Sequence, residues 1–303
     1  MSDFFEEEMF EEREPAPQPD EPPRRRREPR KQKKPSRRGD GETARRILVA
    51  LPAIAIAIAI TVAGGIVFML AMIAVGILCL VEFLDLTSEA RPLAIPAYGA
   101  VTAMVVAAHF GTSYSVLMIF SAAFLVLFAF AADARRREGV TVSMSVTLLG
   151  IFWIGIPLAH AVFLRDLPNH GAALLIDVLV GTFVTDTAAY ATGRMFGSHK
   201  IAPSLSPNKT VEGLIGGFVI GTMGFWFAGL YQNWLSGADA LIIGAAVAAV
   251  APVGDLFESM LKRDLGKKDT GRLFGPHGGI LDRLDAVLFT VVVGYYLAVA
   301  LVY

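Results

Sequence analysis

The sequence predicts an all-α, polytopic membrane protein with about nine transmembrane helices and a disordered N-terminal tail. Three observations carry this prediction: the composition, the length of the apolar runs and the distribution of positive charge. Of the 303 residues 54% are apolar, and the mean hydropathy is +0.54, so the chain is more apolar than soluble domains usually are. Apolar runs long enough to cross a bilayer follow one another from residue 47 onward. These properties exclude an ordinary soluble enzyme and a nucleic-acid-binding domain.

Residues 1–46 form the predicted tail. They hold 13 of the 27 Lys and Arg residues and 12 of the 28 Asp and Glu residues, in an acidic half followed by a basic, proline-rich half. Such a segment has too few apolar side chains to offset the entropy of ordering its backbone, so we expect disorder. The basic half has two interpretations that the sequence leaves open. It either binds anionic lipid headgroups or only fixes the topology of the helices that follow.

The apolar segments that follow predict nine membrane-spanning helices. The first run, from Ile47 to Leu84, would be about 57 Å long as a single helix, whereas a bilayer core is about 30 Å thick. We therefore expect two helices with a turn at Gly64-Gly65. Seven further segments follow, at about 93–109, 115–132, 144–164, 172–193, 211–232, 239–262 and 284–302.

The distribution of Lys and Arg tests this count independently. With the tail inside the cell, the predicted inner loops hold thirteen Lys and Arg residues, and the outer connections hold Arg165 alone. This asymmetry is the positive-inside pattern, and one helix too many or too few would scramble it. We therefore expect a multi-pass protein of the inner (plasma) membrane, with its N-terminus and its largest polar loops in the cytoplasm.

Acidic residues within the predicted spans are the first candidates for function. Asp186 lies inside the sixth span, where a carboxylate is a functional candidate by default. A hydrogen-bonded pair with Tyr190, four residues further on, is the alternative. Asp177 lies nine residues earlier and faces the opposite side of the same helix, so its role stays open. Three weaker candidates near span ends are Glu82, Asp85 and His109.

A polar segment, Ser206–Glu212, leads into the seventh span. Ser206, Asn208 and Lys209 lie just before a predicted helix N-terminus, whose partial positive charge favours anions. An anion-binding site is one interpretation of this segment, and a loop with a Ser-Pro turn is the other.

The strongest chemical pattern spans the eighth predicted helix and the start of the ninth. Asp255, Glu258 and Lys262 are spaced to share one helix face, and Asp282 and Asp285 lie three residues apart at the start of the last helix. The charge pattern places Asp255, Asp282 and Asp285 at the cytoplasmic ends of two spans. Oxygen ligands without cysteine suit Mg²⁺ rather than Zn²⁺.

The loop between these two helices is basic and rich in glycine. Six basic side chains lie beside the carboxylates, so a polyphosphate could be held by these side chains on one side and by a bound metal ion on the other. The segment His277-Gly278-Gly279 would let backbone N–H groups approach phosphate oxygens. The alternative is a loop closed by salt bridges alone. Gly266 to Gly271 resembles a P-loop, but Arg272-Leu273 replaces the required Lys-Ser/Thr pair, so we reject that site. The six basic residues are Lys262, Arg263, Lys267, Lys268, Arg272 and Arg283.

Residues 259–285 resemble the signature of the phosphatidate cytidylyltransferase, or CDP-diacylglycerol synthase, family. That pattern runs Ser-x-Leu-Lys-Arg, four residues, Lys-Asp-x-Gly, two residues, and then Phe-Gly-x-His-Gly-Gly-Ile-x-Asp-Arg-Leu-Asp, and the segment matches it throughout. The similarity extends from about residue 180 to the C-terminus. Two upstream elements that are also similar to the family are Ala189-Tyr190 with Gly193-Arg194, and Ser206–Thr210 with Glu212-Gly213.

The resemblance implies that CTP and phosphatidic acid react to give CDP-diacylglycerol and pyrophosphate, a step of phospholipid biosynthesis. It implies a Mg²⁺ site on Asp255 and Asp282, with Asp285 adjacent, and family members with potassium beside magnesium allow a second cation such as K⁺. The expected division is a transmembrane scaffold over residues 47–170 and a catalytic region over residues 171–303. The expected partners are CTP, phosphatidic acid and membrane lipid, with no nucleic acid, and a homodimer is left open.

The roles of individual residues are hypotheses. We expect Asp255 and Asp282 to bind the metal and Asp285 and Asp186 to support them. We expect Lys262 and Arg263 to act with these catalytic groups. Two other functions stay open: a CTP-dependent lipid-alcohol kinase, which would release CDP, and a membrane transporter, which would move its solute without CTP. The residues expected to hold phosphates or orient the substrates are Ser206, Asn208, Lys209, Lys262, Arg263, Lys268, Asp269, His277, Gly278, Gly279 and Arg283.

Overall fold

The computed structural model describes residues 52, 54–133, 138–267, 270–271 and 279–303. These residues are almost entirely helical, which confirms the all-α prediction. The predicted tail lies outside the described residues. So do four of the predicted site residues, which are Lys268, Asp269, His277 and Gly278.

Ten α-helices follow one another along the described residues, and five residues of π-helix, Ile151–Gly155, join the fifth to the sixth. In chain order they are α1 Ile54–Ala63, α2 Gly65–Leu86, α3 Ala94–Phe110, α4 Ser113–Asp133, α5 Val140–Gly150, α6 Ile156–Arg165, α7 Gly171–Phe196, α8 Val211–Gly229, α9 Gly237–Asp264 and α10 Leu281–Leu301.

The predicted spans agree with these helices. Within the described residues, seven helical runs are long and apolar enough to cross a membrane when α5 and α6 count as one, and the shorter α1 and α3 complete the predicted nine segments. The break within the first apolar run is confirmed at Gly64-Gly65, where φ is 60° and 52°. Glycine adopts this left-handed backbone without steric cost. The guanidinium of Arg165 fills the space that a side chain on Gly64 would need.

Close packing between helices brings the predicted site together. α8 lies against α7 so tightly that a methyl group on Gly217 would stand 2.7 Å from the Cβ of Ala189. α9 meets α10 at Gly254, where a methyl group would overlap the backbone of Asp285. Small residues at such crossings let helix backbones approach closely. As a result, polar side chains on α7, α9 and α10 reach one another.

A β-hairpin leads into α8 where the sequence predicted an irregular loop or an anion site. Its strands, β1 Lys200–Ala202 and β2 Ser206–Thr210, are antiparallel, and Lys200 pairs with Thr210. The Thr210 hydroxyl then caps α8 by accepting from the backbone N–H of Gly213 at 3.1 Å. The hairpin therefore fixes the direction in which β2 presents its polar side chains.

The C-terminal ends of α2 and α9, the N-terminal end of α10 and the hairpin meet at one end of the bundle. The Arg263 side chain donates from Nε to the carbonyl of Leu205 in the hairpin at 3.3 Å. Lys267, just after α9, donates from Nζ to the carbonyl of Leu86 at the end of α2 at 3.0 Å. The charge pattern predicts that this end is cytoplasmic.

Candidate active site

Three carboxylates form the centre of the site. Asp255 and Glu258 lie one turn apart on α9, and Asp285 faces them from the first turns of α10. One oxygen atom from each residue lies within 4.8 Å of the other two. Their exposure differs: the side chain of Asp255 is 40% exposed, whereas that of Glu258 is 1% exposed. The cluster is therefore open to solvent on the Asp255 side and closed on the Glu258 side.

Two lysines border this cluster. Lys209 on β2 places its Nζ 2.7 Å from Oδ2 of Asp255. Lys262, one turn after Glu258, places its Nζ 2.8 Å from Oε2 of Glu258. The Lys262–Glu258 pair is mostly shielded from water, so its attraction is stronger than between surface charges, whereas water screens the more exposed Lys209–Asp255 pair. These two ammonium groups face three carboxylates of the cluster, and Lys262 also pairs with Asp282.

An unpartnered oxygen atom indicates where a further cation would bind. Oε1 of Glu258 is buried and has no hydrogen-bond partner among the residues that the structure describes. A buried carboxylate oxygen without a partner is costly, and native structures usually explain it by a water or an ion. All the donors here are carboxylate oxygens, which Mg²⁺ and Ca²⁺ prefer.

Asp282 has a different set of contacts. Its Oδ1 accepts from Lys262 Nζ at 2.8 Å, and its Oδ2 accepts from the backbone N–H of Gly279 at 2.7 Å and of Thr270 at 3.2 Å. The structure thus groups Asp255 with Glu258 and Asp285, and Lys262 links Asp282 to that group. These contacts do not support Asp282 as a metal ligand paired with Asp255, and that assignment stays a prediction.

The two acids on α7 have separate surroundings. Asp186 lies within electrostatic range of Asp285, Asp255 and Lys209, and its supporting role stays a prediction. Asp177 is buried near the other end of α7, where its Oδ2 accepts from Nε2 of Gln232 at 2.6 Å. Its role, which the sequence left open, is to hold the connection between α8 and α9 against α7.

The remaining predicted residues that the structure describes lie on β2 and at the start of α10. Ser206 and Asn208 are on β2 beside Lys209, and Asn208 is exposed. Arg283 is exposed on the first turn of α10. Gly279 contributes its backbone N–H to Asp282, as described above. The substrate-binding roles expected of these residues stay predictions.

Glu82 is a residue whose position the sequence did not reveal. It belongs to α2, within the predicted scaffold, and only 6% of it is exposed. Its Oε1 accepts from the backbone N–H of Ile280 and its Oε2 from that of Leu281, each at 2.9 Å. The sequence offered one signal, an acid near the end of a very apolar helix. Nothing in that signal identifies a partner almost 200 residues away.

Comparisons with known proteins point to one family. A sequence model of the cytidylyltransferase family matches residues 44–301. The chain is 30% identical over 254 residues to the phosphatidate cytidylyltransferase of Staphylococcus aureus (strain COL), across 80% of this chain and 94% of that protein. It is 37% identical over 179 residues to the phosphatidate cytidylyltransferase of Thermotoga maritima, across 56% of this chain and 64% of that protein.

A third relative matches over a shorter segment. The phosphatidate cytidylyltransferase of Haemophilus influenzae is 41% identical over 125 residues, which cover 40% of this chain and 43% of that protein. The chain therefore spans less than half the length of this relative, whereas it spans nearly the whole of the staphylococcal one.

Proposed function

The chain belongs to the cytidylyltransferase family, and we propose that it transfers the cytidylyl group of CTP to phosphatidic acid, giving CDP-diacylglycerol and pyrophosphate. The observation that carries this proposal is the cluster of Asp255, Glu258 and Asp285, with Lys209 and Lys262 beside it. The names of the three relatives support the same reaction. The apolar helices around the cluster fit an enzyme whose lipid substrate stays in the membrane.

The reaction sets a clear electrostatic requirement. A phosphate oxygen of phosphatidic acid forms a bond to the α-phosphorus of CTP, while the bond between the α-phosphorus and the bridging oxygen breaks and pyrophosphate leaves with the electron pair. The lipid phosphate is already ionised near neutral pH, so no strong general base is needed. The main obstacle is that two polyanions must meet and that charge grows on the leaving group.

The residues of the site fit this requirement. The ammonium groups of Lys209 and Lys262 would pair with phosphate oxygens, and Asp255, Glu258 and Asp285 would hold a divalent cation, which we propose to be Mg²⁺. When bound, such a cation neutralises charge on the phosphates and on the departing pyrophosphate. Asp255 and Lys209 lie on the more exposed side, so the nucleotide would enter there.

We also propose that this end of the bundle faces the cytoplasm, in the inner (plasma) membrane, with the N-terminus on the same side. The thirteen-to-one distribution of Lys and Arg between the predicted inner and outer loops supports this orientation. CTP is a cytoplasmic, water-soluble substrate, and the exposed side of the cluster would give it access without crossing the lipid.

Product analysis with labelled CTP tests the reaction directly. Purified protein is incubated with phosphatidic acid, Mg²⁺ and CTP labelled at the α-phosphate, with ATP, GTP and UTP compared in parallel. Cytidylyl transfer puts the α-label into a lipid and releases unlabelled pyrophosphate. A lipid-alcohol kinase would leave the α-label in CDP and would transfer the γ-phosphate instead. Solute flux in proteoliposomes without CTP, in the absence of a labelled lipid product, would favour a transporter.

A matched pair of variants tests the carboxylate cluster. Asp255→Asn should lower kcat/KM by about 100-fold or more, because a neutral amide neither binds a cation well nor balances Lys209. Asp239→Asn makes the same chemical change at the other end of α9, about 24 Å away along the helix, and should leave the activity nearly unchanged. Equal activity in both variants would contradict the proposed position of the active site.

A further inference from the structure

We infer that Glu82 is a positioning residue, which fixes the first turn of α10 and thereby sets the site carboxylates for the reaction. The inference rests on the proposed function for the reaction concerned, but the contacts of Glu82 do not depend on it. Glu82 touches no part of the carboxylate cluster directly in the described contacts. It acts on the segment that carries Asp282 and Asp285.

The start of α10 lacks a cap from its own sequence. The residue at the N-cap position is Ile280, which has no side-chain oxygen, and the nearby Asp282 accepts from the N–H of Gly279 instead of those of Ile280 and Leu281. Free N–H groups at a helix start need acceptors, and a carboxylate near them is favoured by the helix dipole. Glu82 supplies both of its oxygens to the N–H groups of Ile280 and Leu281 at 2.9 Å. Such charge-assisted bonds are stronger than neutral ones.

Two glycines make room for the carboxylate. A methyl group on Gly271 would lie 2.7 Å from Oε1 of Glu82, and one on Gly279 would overlap Oε2. Both positions belong to the stretch that resembles the family signature. The absence of side chains at these two positions lets the backbone fold around the end of Glu82. The carboxylate is thereby enclosed between the residues just before α10 and the segment after α9.

A second contact binds α2 to the same segment. Nζ of Lys267 donates to the carbonyls of Asp85 and Leu86 at 3.1 and 3.0 Å, and these carbonyls belong to the last turn of α2. Lys267 thus caps the C-terminal end of α2, while Glu82 caps the N-terminal end of α10. The loop between α9 and α10 is held at both of its described ends by α2.

Glu82 influences the site through one short chain of contacts. Capping Ile280 and Leu281 fixes the backbone at the start of α10, which carries Asp282. The side chain of Asp282 accepts from the N–H of Gly279 and pairs with Lys262. Asp285 follows one turn later on the same helix. A shift of about 1 Å in this turn would misplace groups that must hold a transferring phosphate, and such shifts can reduce catalysis by about 100-fold.

The test compares Glu82→Gln with Glu89→Gln, an exposed glutamate seven residues along the chain. The Gln side chain keeps the size of Glu82 but turns an N–H₂ group toward a backbone donor. We expect kcat to fall by about 10- to 100-fold while the KM for phosphatidic acid changes by less than about threefold. Glu89→Gln should match the wild type. An unchanged kcat in Glu82→Gln would overturn the inference.

Hydrogen exchange tests the contacts between Glu82 and the start of α10 without any catalytic reaction. The backbone amides of Ile280 and Leu281 should exchange faster in Glu82→Gln than in the wild type and in Glu89→Gln, because they lose a carboxylate acceptor. Unchanged exchange at these amides would refute the role of Glu82 even if the activity falls. If the wild type forms no CDP-diacylglycerol, the proposed function fails, but this measurement still decides whether Glu82 anchors α10.

A second variant keeps the inference testable if Glu82→Gln does not fold. Gly271→Ala keeps Glu82 but pushes a methyl group against its carboxylate, so it should reproduce the fall in kcat. In a Glu82→Ala background the space is vacated, and adding Gly271→Ala should then cost little further activity. Additive losses in this double-mutant cycle would show that the two positions act independently and would overturn the inference.

Discussion

Replacing Glu258 by Gln should leave the protein at least as stable when no divalent cation is present, while it removes the stabilisation that the cation brings. At an effective dielectric constant of about 20, two charges 4.8 Å apart repel by about 3.5 kcal/mol, so two ionised neighbours cost about 7 kcal/mol or more. On the same scale, attraction to Lys262 at 2.8 Å contributes about 6 kcal/mol. A buried amide also costs less than a buried carboxylate. The balance therefore favours Gln by about 1 kcal/mol or more.

The assay is thermal unfolding in detergent, followed by tryptophan fluorescence, in EDTA and in increasing Mg²⁺. Mg²⁺ should raise the unfolding temperature of the wild type, since a ligand at 100 times its Kd stabilises the native state by about 2.7 kcal/mol. Glu258→Gln should unfold at an equal or higher temperature than the wild type in EDTA, gain little from Mg²⁺ and lose most of its kcat. Asp239→Asn serves as the control and should respond to Mg²⁺ like the wild type.

Two results would refute this reasoning. If Mg²⁺ stabilises Glu258→Gln as much as the wild type, the unpartnered Oε1 of Glu258 does not face the cation. If Glu258→Gln unfolds several degrees below the wild type in EDTA, the attraction to Lys262 outweighs the repulsion within the cluster. In the second case the three carboxylates would be balanced without a cation, and the electrostatic argument for a metal site would fail.

Two further predictions concern stability away from the cluster. Asp177→Ala should lower the free energy of unfolding by about 1–3 kcal/mol, because the amide of Gln232 loses its buried partner. The kcat should change little, and a large fall in kcat at unchanged stability would contradict a purely structural role of Asp177. Gly217→Ala should destabilise the α7–α8 contact by about 1–3 kcal/mol, because its methyl group would crowd Ala189. Gly99→Ala, whose methyl group would meet no described atom within 4 Å, is the control, and equal unfolding temperatures for the two variants would contradict the packing argument.

The sequence predicts the helices well because lipid leaves few alternatives for an apolar run. An uninterrupted hydrocarbon phase forces each span to satisfy its own backbone, so hydropathy and length locate most helices. The length of the first apolar run predicted two helices, and the glycine pair predicted the turn at Gly64-Gly65. Arg165, the one Lys or Arg of the predicted outer connections, has a structural role that charge counting could not reveal. Its Nε donates to the carbonyl of Thr61 at 3.1 Å, which holds the end of α1.

The sequence predicts which residues belong to the candidate site, but not which of them contact one another. Helical spacing correctly put Asp255 and Glu258 on one face, because that pattern is local. Which acid of α10 joins them depends on the rotation of α10, and that rotation is fixed by contacts distant in the sequence. The short strands of the hairpin, one of which contains Pro207, also give little local signal. The sequence therefore identifies the acidic and basic residues of the site, and tertiary contacts decide which of them lie together.

The two faces of α9 would let one helix serve the proposed reaction between a lipid and a water-soluble nucleotide. Val253 and Met260 lie seven residues apart on one face and are 50% and 43% exposed, as side chains in contact with lipid would be. Asp255, Glu258 and Lys262 lie on the opposite face, against α10. A helix with its side chains is about 10 Å across. An acyl chain lying along the apolar face would therefore bring its phosphate within about that distance of the carboxylates, and the phosphate would have to pass around the open Asp255 side to reach CTP.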